Sequence, residues 1–160
     1  MAQKSTVPVI RSRKVADGAD PLVMLTAYDA PGARMVDEAG ADLILVGDSV
    51  AMVVLGYEDT LQVTVADIAY HTAAVARTRP SALVVADMPW MSYHVSVEDT
   101  LRNAAELVRA GGQAVKLEGG RQRLPMVEAL IDAEIPVMGH IGLTPQSVNA
   151  MGGFKVQGRD

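Results

Sequence analysis

Side chains able to act as acids, bases or cation ligands recur directly after short apolar runs. Asp48 and Ser49 follow the run Leu43 to Val46, and Asp87 follows Ala82 to Ala86. Lys116 lies within, and Glu118 at the end of, the run from Ala114 to Leu117, while His140 follows Pro136 to Gly139. Asp29 stands a few residues after the first such run, Leu22 to Leu25. An Asp after a strand is commonly a turn or helix-capping residue. That ordinary reading fits Asp29 best, because Pro31 follows it; it fits Asp48 and Asp87 less, because no helix start is read directly after either. Lys116 and Glu118 are two residues apart and share one face of a strand, where a lone pair reads as a salt bridge. His140 reads equally as a hydrogen-bond donor in a site or as a structural histidine. Taken together, acids on successive strand ends are hard to explain as caps. Clustered carboxylates repel, and burying them without a cation is costly. A hard divalent ion such as Mg²⁺ resolves that, taking a few carboxylate oxygens and keeping positions open for substrate.

The elements that must position these groups alternate regularly. Pro31 suits the first turn of a helix that Gly40 ends. Thr64 with Asp67 resembles a capping box opening a helix to about Arg77, and Ser96 with Asp99 offers a similar start for a helix to Ala110. A further helix is expected through Met126 to Ala133, Thr144-Pro145 looks like the start of a short helix, and Gly152-Gly153 to Asp160 reads as loop. The pattern is βαβαβαβαβ, the signature of a parallel sheet with right-handed crossovers. Residues 1–20 are expected to be an N-terminal extension, and residues 21–160 part of one domain.

Two architectures suit five β/α units. An open flavodoxin-like sheet is complete at 160 residues, whereas a (β/α)₈ barrel normally needs about 250. Length alone favours the open sheet. The acids reverse that preference. In the open order 2-1-3-4-5, strand one separates strands two and three, so Asp48 sits far from Glu118. In a barrel, strands two, three and four are neighbours, and Asp48, Asp87 and Glu118 meet at one mouth. A phospho-acceptor receiver domain fits poorly, since the Lys lies on the fourth strand and the fifth ends in His140.

Composition excludes several function classes. Hydrophobic residues make up 49% and charged residues 21%, ordinary for a globular domain. Aromatics are only 4%, the net charge is −5 and the basic residues are dispersed, so nucleic acid and anionic membrane are not expected partners. Without Cys there is no disulfide framework and no thiolate nucleophile. No signal peptide is visible, and the apolar runs are too short to span a bilayer, so a cytoplasmic location is expected.

Several segments resemble the ketopantoate hydroxymethyltransferase family: Thr26-Ala27-Tyr28-Asp29, Leu45-Val46-Gly47-Asp48-Ser49, Thr64-Val65-Ala66-Asp67, Ala86-Asp87-Met88-Pro89 and Val115-Lys116-Leu117-Glu118-Gly119-Gly120. The run from Gly139 through His140-Ile141-Gly142-Leu143-Thr144-Pro145-Gln146-Ser147-Val148-Asn149 to Gly152 and Arg159 is highly specific. The resemblance begins near Val23 and implies a (β/α)₈ TIM barrel, of which this chain supplies roughly the first five β/α units, in a homo-oligomer, typically a decamer. It implies transfer of a hydroxymethyl group from 5,10-methylenetetrahydrofolate to 3-methyl-2-oxobutanoate through a metal-stabilised enolate, giving ketopantoate for pantothenate synthesis. By position, Asp48, Asp87 and Glu118 match the residues that hold one Mg²⁺ per subunit. Asp48, Ser49, Asp87 and Lys116 match substrate contacts, and Lys116 and His140 the catalytic pocket. The family's general-base Glu is expected beyond Asp160, so these residues alone are expected not to turn over substrate. A Mg²⁺-dependent 2-oxo acid C–C lyase of the related superfamily, or a truncated, non-catalytic metal-binding segment, remains the alternative.

Overall fold

The computed structural model describes residues 4–158. Chain order is α1 (Val7–Ser12), a 3₁₀ turn (Val15–Asp17), β1 (Met24–Thr26), α2 (Ala30–Glu38), β2 (Leu43–Val46), α3 (Val50–Val53), α4 (Val65–Ala76), β3 (Leu83–Asp87), α5 (Val97–Arg109), β4 (Ala114–Glu118), a 3₁₀ turn (Arg121–Arg123), α6 (Leu124–Asp132), β5 (Val137–His140), a 3₁₀ turn (Pro145–Ser147) and α7 (Val148–Met151). All strands are parallel and lie in the order β1-β2-β3-β4-β5. That sequential order is the one a barrel requires, and it excludes the doubly wound alternative in which β1 divides β2 from β3.

Strand alternation divides the sheet into two faces. Ile44, Val46, Val84, Ala86, Val115 and Leu117 point to the helices and form the main core with Ile68, Val75, Ala104, Leu107 and Leu130. On the other face, Leu43, Leu83, Val85 and Ala114 form a smaller apolar cluster at the amino end of the strands. Val7 and Ile10 of α1 pack on that cluster, and Arg13 pairs with Asp42. The N-terminal segment thus covers the amino end of the sheet.

Local chemistry explains the helix starts. Asp29 accepts a hydrogen bond from Gly32 N (2.7 Å), the capping role expected of it. Thr64 and Asp67 form the reciprocal capping box of α4, and Ser96 caps α5. Strand bounds differ from the sequence expectation by one or two residues; β3, β4 and β5 each run one residue further, so Asp87, Glu118 and His140 are the last paired residues rather than the first of their loops. One expectation fails: a one-turn helix, α3, does start directly after Asp48 and Ser49, and it was invisible because Val50-Ala51-Met52-Val53 carries no cap or period to mark it. The Asp48 side chain nonetheless does not cap it. Residues 152–158 form no regular element; Arg159 and Asp160, which close the specific run, lie outside the described residues.

Candidate active site

Period-two alternation carries the polar groups onto the face that holds Leu83 and Val85. On β3 the inward series is Leu83, Val85, Asp87; on β4 it is Ala114, Lys116, Glu118; on β5 it is Met138, His140. Register then sets the pairs. Asp87 lies opposite Lys116, and Glu118 opposite His140. The resulting contacts are Lys116 Nζ to Asp87 Oδ1 at 2.6 Å, Lys116 Nζ to Glu118 Oε1 at 3.8 Å, and His140 Nδ1 to Glu118 Oε1 at 3.1 Å. Asp48, just past β2, donates its backbone N–H to Asp87 Oδ2 at 2.9 Å. Asp48, Ser49, Asp87, Lys116, Glu118 and His140 all line one cavity of about 630 Å³ at the carboxyl ends of the strands. Every site residue anticipated from the sequence is therefore in the same place.

Three carboxylates here face one ammonium, and all four groups are buried. Burial pushes the Asp87 carboxyl up to about 7, against the pull of Lys116 and with the repulsion of Asp48 added. Burial also raises Asp48, although its bond from Gln146 and the charge of Lys116 oppose the rise. For Lys116, burial favours the neutral amine, but Asp87, Glu118 and Asp48 outweigh it and hold the ammonium above its ordinary value. The cavity thus has a fixed cation and more carboxyl groups than that cation can pair, a surplus that a proton or a bound cation can balance.

Sequence reasoning missed the residues that hold this wall together. Gln146, in the turn after β5, is 5% exposed. Its Nε2 donates to Asp48 Oδ2 (2.8 Å) and Met88 O (3.0 Å), and its backbone N–H donates to Glu118 Oε2 (3.0 Å). Tyr93 donates to Gln146 Oε1 (2.6 Å) and accepts from Glu118 N (3.1 Å). Burial pushes the Tyr93 phenol up, so it remains a donor. On the other wall, Tyr28 Oη and Ser49 Oγ are 2.9 Å apart, and His71 Nδ1 lies 2.7 Å from Tyr28 O. Gly47 is needed for space, because a Cβ there would sit 2.8 Å from Ser49 Oγ and 3.3 Å from Asp87 Oδ2.

Among the described residues, no three His, Asp or Glu side chains stand close enough together to hold a metal ion as they are arranged. Lys116 and Gln146 separate the acids. The donor chemistry still suits a hard dication. Mg²⁺ is commonly held by one or two carboxylates with water in its remaining positions, so three converging protein ligands are not required. Asp87 Oδ1 is buried, and its one close partner is the Lys116 ammonium, which donates to it at 2.6 Å.

Residues 4–160 match the family model for ketopantoate hydroxymethyltransferase. The chain is 58% identical over 157 residues to 3-methyl-2-oxobutanoate hydroxymethyltransferase 2 of Bradyrhizobium diazoefficiens, covering 98% of this chain and 53% of that protein. It is 62% identical over 144 residues to the 3-methyl-2-oxobutanoate hydroxymethyltransferase of Pyrobaculum neutrophilum, covering 90% of this chain and 55% of the relative. It spans about half the length of the curated relatives it matches. Among solved structures it is similar to 2,3-dimethylmalate lyase, a PEP mutase/isocitrate lyase superfamily member, with a TM-score of 0.58 at 23% identity, over 81% of this chain and 51% of that one. That likeness concerns the fold alone: this chain's five parallel β/α units, in sequential order, are laid out as part of a (β/α)₈ barrel.

Proposed function

The chain belongs to the ketopantoate hydroxymethyltransferase family, and from that premise we propose that its acid-lined cavity serves transfer of a hydroxymethyl group from 5,10-methylenetetrahydrofolate to 3-methyl-2-oxobutanoate. The observation that carries the reading is the convergence of Asp48, Ser49, Asp87, Lys116, Glu118 and His140 on one cavity. Of Asp48, Asp87 and Glu118, one or two would hold Mg²⁺ directly, with water in its remaining positions and the third acid beside it. When bound, that ion would polarise the keto oxygen of the substrate and offset negative charge that develops when the adjacent C–H is lost.

The chain's own residues bind and orient. Lys116, fixed as an ammonium by the acids around it, would pair with the substrate carboxylate or with the oxygen gaining charge. If Tyr28 donates to Ser49 across their 2.9 Å contact, the Ser49 proton is free for the substrate carboxylate. His140, with Nδ1 turned to Glu118, leaves its other ring nitrogen for the pocket. Met24, Leu45 and Met138 give the cavity an apolar flank suited to a branched aliphatic chain.

The test is calorimetric binding of 3-methyl-2-oxobutanoate with and without Mg²⁺, paired with an assay for product. Binding should depend on Mg²⁺ and weaken about tenfold or more in Lys116→Met. Binding indifferent to both would contradict the assignment. Bond cleavage of a 2-oxo acid without folate would favour a lyase of the same superfamily instead.

A further inference from the structure

A second cavity, of about 360 Å³, shares Glu118 with the first and is lined by His94, Arg121, Arg123 and Gln146 among others. Its charge contrasts with that of its neighbour. Neither Arg121 nor Arg123 pairs with a carboxylate among the described residues, and neither guanidinium donates a hydrogen bond to them. The one acid at the wall, Glu118, already has its oxygens engaged by His140, Lys116 and the Gln146 N–H.

The Arg123 guanidinium lies over the Tyr93 ring, 5.8 Å from its centroid, and His94 packs on the same ring at 4.2 Å. Its stem is accommodated by Gly119, where φ is +114° and a Cβ would stand 3.0 Å from Arg123 Cγ. His94 Nδ1 is buried with no hydrogen-bond partner among the described residues. Burial, and then the Arg123 charge, hold the His94 imidazole below its ordinary value. Arg121 is exposed and Arg123 partly buried, so two guanidinium forks without a protein carboxylate partner among the described residues face one polar cavity with donors open to a carboxylate or phosphate.

We propose that this cavity is an oxyanion site in which Arg121 and Arg123 hold a carboxylate or phosphate group of a small anionic ligand. Because Tyr93 also bonds Gln146 and Glu118, the ligand would sit one side chain away from the acid-lined cavity and share its wall. Binding of a folate tail here would rest on the proposed transfer reaction, whose donor is a folate; binding of a free phosphate would not. A free phosphate and the glutamyl carboxylates of a folate donor present the same chemistry, and two probes separate them: inorganic phosphate and N-(4-aminobenzoyl)-L-glutamate.

Each probe would be titrated into the full chain without substrate or Mg²⁺, following the His94 ring resonances by NMR and the heat by calorimetry. At least one probe should saturate in the millimolar range or below and move the His94 signals. Arg121→Ala and Arg123→Met should each raise its Kd about tenfold, while Arg102→Ala, on the exposed face of α5, should not. Saturation by phosphate alone identifies a free phosphate as the ligand, and saturation by the glutamate probe identifies a carboxylate tail. Arg121 is exposed, so its variant should keep the native circular dichroism spectrum. Absence of saturation by both probes, or an unchanged Kd in a folded Arg121→Ala, overturns the proposal.

Discussion

At the scale of single residues, Gln146 joins the carboxyl ends of three strands that sequence adjacency does not connect. It bonds Asp48 after β2, Met88 after β3 and Glu118 on β4, and Tyr93 fixes which way its amide points. Replacing it by Leu keeps the volume but removes the donor to buried Asp48 Oδ2 and the acceptor of the Tyr93 O–H. Gln146→Leu should therefore cost about 2–3 kcal/mol in urea unfolding. It should also weaken 2-oxo acid binding, whereas Gln146→Glu should put a fourth carboxylate into the wall and raise the demand for a cation. Unchanged stability in Gln146→Leu would mean that the amide is dispensable. The acids, Lys116 and His140 were legible in the sequence because alternation and strand ends mark them. Gln146 and Tyr93 were not, since both lie on loops where no period says which side chain turns inward. Gln146 could be quoted only as one letter of a long specific run.

Individual elements were legible where a cap or a period marks them. Thr64 and Asp67 announced α4, and the structure shows both halves of the box. Thr64→Ala should lower stability by about 1 kcal/mol. The Thr64 hydroxyl and N–H hold the Asp67 carboxyl below its usual 3.8. A carboxylate depressed in the folded state stabilises above its unfolded value and loses that contribution as pH falls through the folded one. The stability gap between wild type and Asp67→Asn should thus be full at neutral pH and close below the ordinary carboxylate range; a gap independent of pH would remove the charge from the account. Short elements were less legible. α3 spans four residues and α1 six, too few for a hydrophobic period to declare itself.

For the molecule as a whole, length and chemistry pointed in opposite directions. Five β/α units at this length suit an open sheet, yet the acids at strand ends made sense only with β2, β3 and β4 side by side, and the strand order is the sequential one. What no pattern could reveal was the role of α1, whose contacts with β2, β3 and β4 are made across long stretches of chain. Ile10 packs there against the cluster formed by Leu43, Leu83, Val85 and Ala114. Since Ile10 is only partly buried, Ile10→Ala should cost about 1 kcal/mol, toward the low end for such truncations, and an unchanged unfolding midpoint would show that α1 is not part of the folded unit. The account turns finally on whether one dication binds at the tips of β2, β3 and β4. Titration with Mn²⁺, followed by its electron paramagnetic resonance, measures this directly. We expect one site, weakened about tenfold or more in Asp48→Asn and in Asp87→Asn, whose affinity rises with pH until the Asp87 carboxyl, raised to about 7, has lost its proton. A Mn²⁺ affinity unchanged in both variants, or no site at all, would contradict it.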